Sequence, residues 1–213
     1  MTDSPVTQTA VREKPILFSG EMVRAILDGR KQQTRRVVKP QPSDVDGATC
    51  FLMGDDLRSD GRDKIIQCPF GQPGDRLWVR EAFALNHSIH YAHNNGRGIT
   101  GMVYRASWPD RNSTKAHPFT GDRRWRPSIH MPRAVSRLTL EITEVRVQRL
   151  DSISEEDARA GGASFEAGGN EELGVGYRIG FRTLWDTLHK SRGYGWESNP
   201  WVFAITFKQI GTP

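Results

Sequence analysis

Between Ser136 and Leu150 the apolar side chains fall at Leu138, Leu140, Ile142, Val145 and Val147, with charged and polar residues between them. Alternation at a period of two marks a strand with one buried face, and a run of this length reads as one long strand or a bent pair. A long strand needs neighbours, so the chain is constrained to a sheet of several strands. Shorter runs of the same kind occur at Pro15 to Phe18, Thr34 to Val38, Arg76 to Glu81, Gly101 to Arg105 and Trp201 to Lys208. The double turn Cys68-Pro69-Phe70-Gly71-Gln72-Pro73-Gly74-Asp75 delivers the chain into the third of these, where Leu77 and Val79 share a face.

Helical signals are few. Ser19 caps a helix from Glu21 to Leu27 with Met22, Ala25 and Ile26 as its apolar face, and Gly29 ends it. A short helix with an acidic first turn starts near Ser154 and breaks at Gly161-Gly162. Another near Phe181 to Leu188 turns Phe181, Leu184, Trp185 and Leu188 inward. Strands joined by turns and loops, with few crossover helices, predict an α+β fold: a mixed β-barrel flanked by short helices, with long loop insertions. Residues 1–13 read as a flexible N-terminal tail. Residues 14–213 read as a single domain with insertions at about 41–64 and 86–122.

Composition narrows the function. Six Trp and nine Phe supply core material that excludes wholesale disorder, and a net charge of +5 leans towards a polyanionic partner. Cys50 and Cys68 form no CxxC motif and read as thiols in a reducing cytoplasm. No apolar run has transmembrane length, and Met1 to Val11 lacks a signal-peptide core, so the expectation is a cytoplasmic protein without a membrane partner. His87, His90 and His93 stand in a polar stretch with no carboxylate pair, so no metal is assigned. No Walker A, no GxGxxG after a strand and no GxSxG is present, and no cofactor is assigned.

The run Gly29-Arg30-Lys31-Gln32-Gln33-Thr34-Arg35-Arg36 packs cations and a hydroxyl onto a turn between a helix and a strand. In a strand Thr34 and Arg36 share one face, with Lys31 at the strand mouth. Lys31 is either an exposed phosphate contact or a buried base activating Thr34, and residue types leave both open. Trp125-Arg126-Pro127-Ser128-Ile129-His130-Met131-Pro132-Arg133 interleaves aromatic and basic residues as nucleic-acid surfaces do, or plugs the barrel with Trp125, Ile129 and Met131. Asp75 reads as a turn former. Glu81 reads as an acid at the barrel mouth or an ion-pair partner of Arg36 or Arg80.

Gly29-x-Lys31-x-x-Thr34-x-Arg36 resembles the ASCH-domain signature of the PUA-like superfamily. The blocks Cys68 to Glu81, Trp125 to Arg133 and Asn199 to Phe203 resemble ASCH-like proteins of phages and prophages. The resemblance implies a PUA-like barrel that binds RNA, single-stranded nucleic acid or a modified nucleoside. It implies as alternatives a phage morphogenesis or host-interaction protein, and a hydrolase of N4-acetylcytidine or a ribonuclease. On this reading Lys31, Thr34 and Glu81 are the candidate catalytic residues. Gly29, Arg36, Arg80, Trp125, Arg126, Ser128, His130 and Arg133 are the candidate ligand-binding residues. Small bacterial relatives use a Lys, a Thr and a Glu. The first two match Lys31 and Thr34, but the position of the Glu falls on Gly161, with Glu155, Glu156 and Glu166 nearby and unmatched.

Overall fold

The computed structural model describes residues 10–42, 52–53, 56–59, 64–89, 99–107, 125–165 and 176–211. Five strands form the main sheet: β1 (Glu13–Leu17), β2 (Gln33–Val37), β6 (Arg76–Arg80), β9 (Thr139–Arg149) and β10 (Trp201–Gly211), in the order β1-β6-β9-β10-β2. All neighbours are antiparallel except β1 and β6. The three helices are α1 (Gly20–Leu27), α2 (Glu155–Ala160) and α3 (Tyr177–His189). The architecture is α+β, as the sequence predicts.

The long alternating run is one strand with a bulge. Thr206 pairs with Glu144 but Phe207 with Ile142, so Thr143 is the extra residue. That extra residue is why the apolar positions shift from even numbers (Leu140, Ile142) to odd ones (Val145, Val147) while all four stay buried. One face of the sheet packs Ile16, Leu77, Val79, Leu140, Phe203 and Ile205 against Val23 and Ile26 of α1. The other face packs Val202 and Leu150 against Ala158 of α2 and Phe181 and Trp185 of α3.

Among the described residues no backbone ladder joins the edge strands β1 and β2, so the expected barrel is not closed by strand pairing. Two residues account for the open seam. Arg12 O and Phe18 N both bond towards β6, so alternation turns Pro15, which has no N–H to offer, towards the free edge. Arg36 bridges the two edges instead, its Nη2 donating to Leu17 O at 2.8 Å.

Several boundaries differ from the sequence reading. The stretch 41–64, read as loop, contains β3 (Leu52–Met53) and β4 (Asp56–Ser59), and β4 pairs with both β3 and β5 (Lys64–Ile66) in a small separate sheet. The polar stretch from residue 86 begins inside β7 (Phe83–Ile89), which pairs with β8 (Ile99–Tyr104); cross-strand pairing overrides polar composition here. His90 and His93 lie outside the described residues. β1 begins at Glu13, and Arg12 N already donates to Asp75 Oδ1, so both residues are tied to the sheet although the stretch read as tail includes them. Leu188 is 40% exposed and not inward, because Phe181, Trp185 and His189 occupy the packing stripe of α3.

Candidate functional site

Ser19 caps α1 by accepting from Met22 N, and Gly29 ends it at φ 72°, a conformation that favours glycine. The chain then turns back. Lys31 N donates to Ala25 O, Gln32 N to Ala160 O, and Gln32 O accepts from Phe207 N. These bonds clamp the turn between α1, the end of α2 and β10. They carry the Lys31 side chain inward until the residue is only 5% exposed.

Its Nζ donates to Gln33 O at 2.8 Å and Gly161 O at 2.6 Å, and lies 5.7 Å from the centre of the Phe18 ring. Burial, and after it the charge of Arg36, lower the Lys31 pKa from 10.5 to about 7. The two carbonyls oppose that shift when they accept from an ammonium. They also accept from the neutral amine, more weakly, since its two N–H bonds match two acceptors and leave the lone pair a third direction. Burial dominates because no carboxylate is among these partners. Gly162 seats the side chain: its φ is 79°, and a Cβ there would stand 3.2 Å from Lys31 Cβ.

Helix α2 is held in place by Asp157, a residue the sequence marks only as a first-turn acid. Its carboxylate accepts from Gln33 Nε2 and Arg35 Nη2, each at 2.8 Å, and from Arg146 Nη2 at 3.0 Å. Burial works to raise the Asp157 pKa, but hydrogen bonds from Gln33 and Arg146 and the charges of Arg146 and Arg35 outweigh it and hold the carboxyl below its usual range. Glu155, one of the glutamates near Gly161, is engaged elsewhere. Its Oε2 accepts from the backbone N–H groups of Gly176, Tyr177 and Arg178 at the start of α3.

Between α1, the Gly161-Gly162 turn and α3 lies a cavity of about 550 Å³. Lys31, Arg24 and Arg30 line it, against Glu21 and Asp28, and Asp28 is paired with Arg30 at 2.8 Å. Ser164, Thr183 and Thr187 add hydroxyls, and Met22 and Leu184 add apolar surface. The α3 wall went unread in the sequence. Gly180, Thr183 and Thr187 recur at helical spacing, but small and hydroxyl residues on a helix are also what an ordinary surface carries.

Of the predicted site residues, Lys31 alone lines this cavity. Thr34 is buried on β2. Arg36 lies over the Phe18 and Phe70 rings, 5.3 and 5.6 Å from their centres; burial lowers its pKa to about 10, and its Nε has no partner among the described residues. Gly29 is exposed at the turn. Glu81 is 1% exposed and pairs with Arg137, Nε to Oε1 at 2.8 Å and Nη2 to Oε2 at 3.1 Å, and not with Arg36 or Arg80. The stretch 125–133 lies against β6 and β7. Arg80 donates to Ser128 O and Ile129 O, Arg126 exchanges backbone hydrogen bonds with Phe83, Met131 is buried and Arg133 pairs with Glu13. Trp125 is partly buried, whereas Arg126, Ile129 and His130 are exposed. Asp75 is the turn former expected, accepting from Arg12 N and Gln72 N. Among the described residues no three His, Cys, Asp or Glu side chains gather into a metal site, and no helix is long and apolar enough to cross a membrane.

No protein-family profile and no curated protein matches the chain. Two solved structures do. One is a protein from Enterococcus faecalis assigned to DUF984, at a TM-score of 0.42 and 8% identity, covering 96% of this chain and 84% of that one. The other is an ASCH domain from Lactobacillus crispatus, at a TM-score of 0.39 and 12% identity, covering 94% and 80%. The chain is similar to both. The second bears the domain name that the Gly29 to Arg36 signature resembles. Superpositions this loose assign no residue a role, so the functional reading rests on the site itself.

Proposed function

We propose that the cavity between α1 and α3 binds a nucleotide unit, free or as part of RNA or single-stranded nucleic acid. The observation that carries this reading is the placement of a buried lysine in the wall of a cavity that also presents two arginines and several hydroxyls, beside Glu21 and Asp28. A volume of about 550 Å³ suits a ligand of nucleotide size. Arg24, Arg30 and the hydroxyls of Ser164 and Thr183 are the groups that bind phosphate oxygens, and Glu21 offers an acceptor to sugar hydroxyls. Lys31 answers to the charge of what binds. Proximity of an anion favours the ammonium, so binding above pH 7 takes up a proton. Calorimetric titration with nucleoside monophosphates and a short single-stranded RNA tests this. Binding that weakens with salt and with Lys31→Met is expected, and absence of binding, or indifference to Lys31→Met, refutes it.

One observation favours a second reading, a hydrolase of a modified pyrimidine nucleoside or of RNA. An amine with a pKa of about 7 whose two N–H bonds face carbonyls is equipped to accept a proton from a nucleophile, and Thr34 on the adjoining strand supplies a hydroxyl. The resemblance names N4-acetylcytidine as the substrate to try. Release of acetate, abolished by Lys31→Met and by Thr34→Val, supports this reading; no turnover of N4-acetylcytidine or RNA leaves the binding reading alone.

A further inference from the structure

Three rings follow one another along α3 at intervals of four residues. Phe181 stacks on Trp185 with centroids 5.9 Å apart and planes inclined by 26°, and Trp185 meets His189 at 4.1 Å and 32°. The first two are buried, whereas His189 is half-buried, so the stack ends at the helix C-terminus in an imidazole that solvent reaches in part. Trp185 Nε1 donates to Tyr194 O at 2.7 Å, which fixes the indole beneath it.

The groups around this ring are cations. Burial, then Arg192 from the turn after α3, Arg36 from β2 and Lys39 from the turn after β2, hold the His189 pKa below its ordinary value. Lys39 Nζ stands 5.3 Å from the centre of the Tyr194 ring, and Lys190 is exposed on the same turn as Arg192. The acids of the neighbouring elements are engaged: Asp186 Oδ1 accepts from Trp196 N at 2.6 Å, and Glu197 pairs with Arg182. Like charges gathered without a carboxylate repel one another, and a bound anion relieves that repulsion. Neither His189 nor any of these cations lines the cavity between α1 and α3.

We propose that the solvent-reached part of the His189 ring is a stacking platform for a nucleobase of a single-stranded nucleic acid, with Lys39 and Arg192 contacting the phosphates that flank the stacked base. A base would add a fourth ring to a stack of three, and a π-face next to phosphate-binding cations is the pairing that single strands use. A neutral imidazole suits this role, because a charged one would have to be desolvated beneath the base. A duplex keeps its bases stacked inside and offers the platform nothing. A free phosphate or a lipid headgroup would use the cations and leave the ring idle.

The test is fluorescence anisotropy with a labelled eight-nucleotide oligouridylate. His189→Ala should weaken binding roughly tenfold, the loss of one base stack. Lys39→Gln combined with Arg192→Gln, at two exposed positions that leave the core intact, should reduce the slope of log affinity against log salt by about 1.4, or ~0.7 per lost cation. In proton NMR the His189 ring signals, assigned by their loss in His189→Ala, should move upfield as the oligonucleotide binds. Unchanged affinity and salt slope in both variants overturn the proposal. So does loss, in the double variant, of binding to phosphatidylglycerol vesicles by a protein that does not bind the oligonucleotide. The cavity is judged separately. Binding sensitive to Lys31→Met but not to the double variant overturns the platform and keeps the cavity, and the reverse pattern keeps the platform and overturns the cavity.

Discussion

Replacing Lys31 with Met should change how stability depends on pH more than it changes stability at any one pH. In the folded protein Lys31 loses its proton near pH 7, in the unfolded chain near 10.5. Between these values the unfolded chain holds more protons, so the free energy of unfolding rises with pH, by up to about 1.4 kcal/mol per unit. Below pH 7 both states are protonated and the penalty for burying the ammonium is fully felt; above 10.5 both are neutral and it is gone. From pH 7 to 9 the Lys31 contribution is about 2 kcal/mol, a sizeable part of the 5–15 kcal/mol that stabilises a typical domain. Met leaves Gln33 O and Gly161 O without their donor, which offsets any gain from removing the charge. The slope is therefore the readout. Urea denaturation of both proteins at pH 6, 7, 8 and 9 isolates it, since other titrating groups contribute equally and cancel in the difference. A difference that is flat below pH 7 and moves steadily above it is expected. Parallel curves across the whole range would refute the buried, near-neutral amine.

Asp157→Ala removes the counter-ion of Arg35, whose side chain is 1% exposed, and should destabilise the fold by about 3–5 kcal/mol in the same assay. Because the Asp157 pKa is lowered on folding, its contribution is present above the ordinary carboxyl range and is lost as pH falls through the folded value, so the variant should show a shallower acid limb. Gly162→Ala forces an alanine into φ 79° against Lys31 Cβ, with an expected loss of about 1–3 kcal/mol in urea and a displaced Lys31 titration. Glu81→Gln replaces the carboxylate that holds Arg137 twice and should lower stability by about 2 kcal/mol; an unchanged rate in any hydrolase assay removes Glu81 from the catalytic candidates.

The elements that the sequence announced are those governed by local rules. Ser19 and Ser154 cap helices as their side chains dictate, and the alternation of Leu138, Leu140 and Ile142 gives the central strand. The partners of Lys31 were hidden for a physical reason. Both are backbone carbonyls, which every residue carries, and the position where the resemblance expects a glutamate holds a glycine whose carbonyl takes the amine. Asp157 looked like a helix-start acid because its long-range partners Arg35 and Arg146 come together only through strand pairing. Arg80 and Arg133, read as ligand contacts, hold the 125–133 stretch against the sheet, a use that residue type alone does not distinguish from phosphate binding. The spacing of four from Phe181 to Trp185 lay on a predicted helix, but His189 fell one residue past its expected end, and its partial exposure belongs to tertiary structure.

If Lys31 makes the cavity between α1 and α3 an anion site for a nucleotide unit, binding is coupled to proton uptake. The direct measurement is isothermal titration of the protein with a nucleoside monophosphate and with a short single-stranded RNA at pH 8, in two buffers of different ionisation enthalpy. Uptake of close to one proton per ligand bound, and its disappearance in Lys31→Met, is expected. Binding without proton uptake, or uptake that survives the substitution, contradicts it.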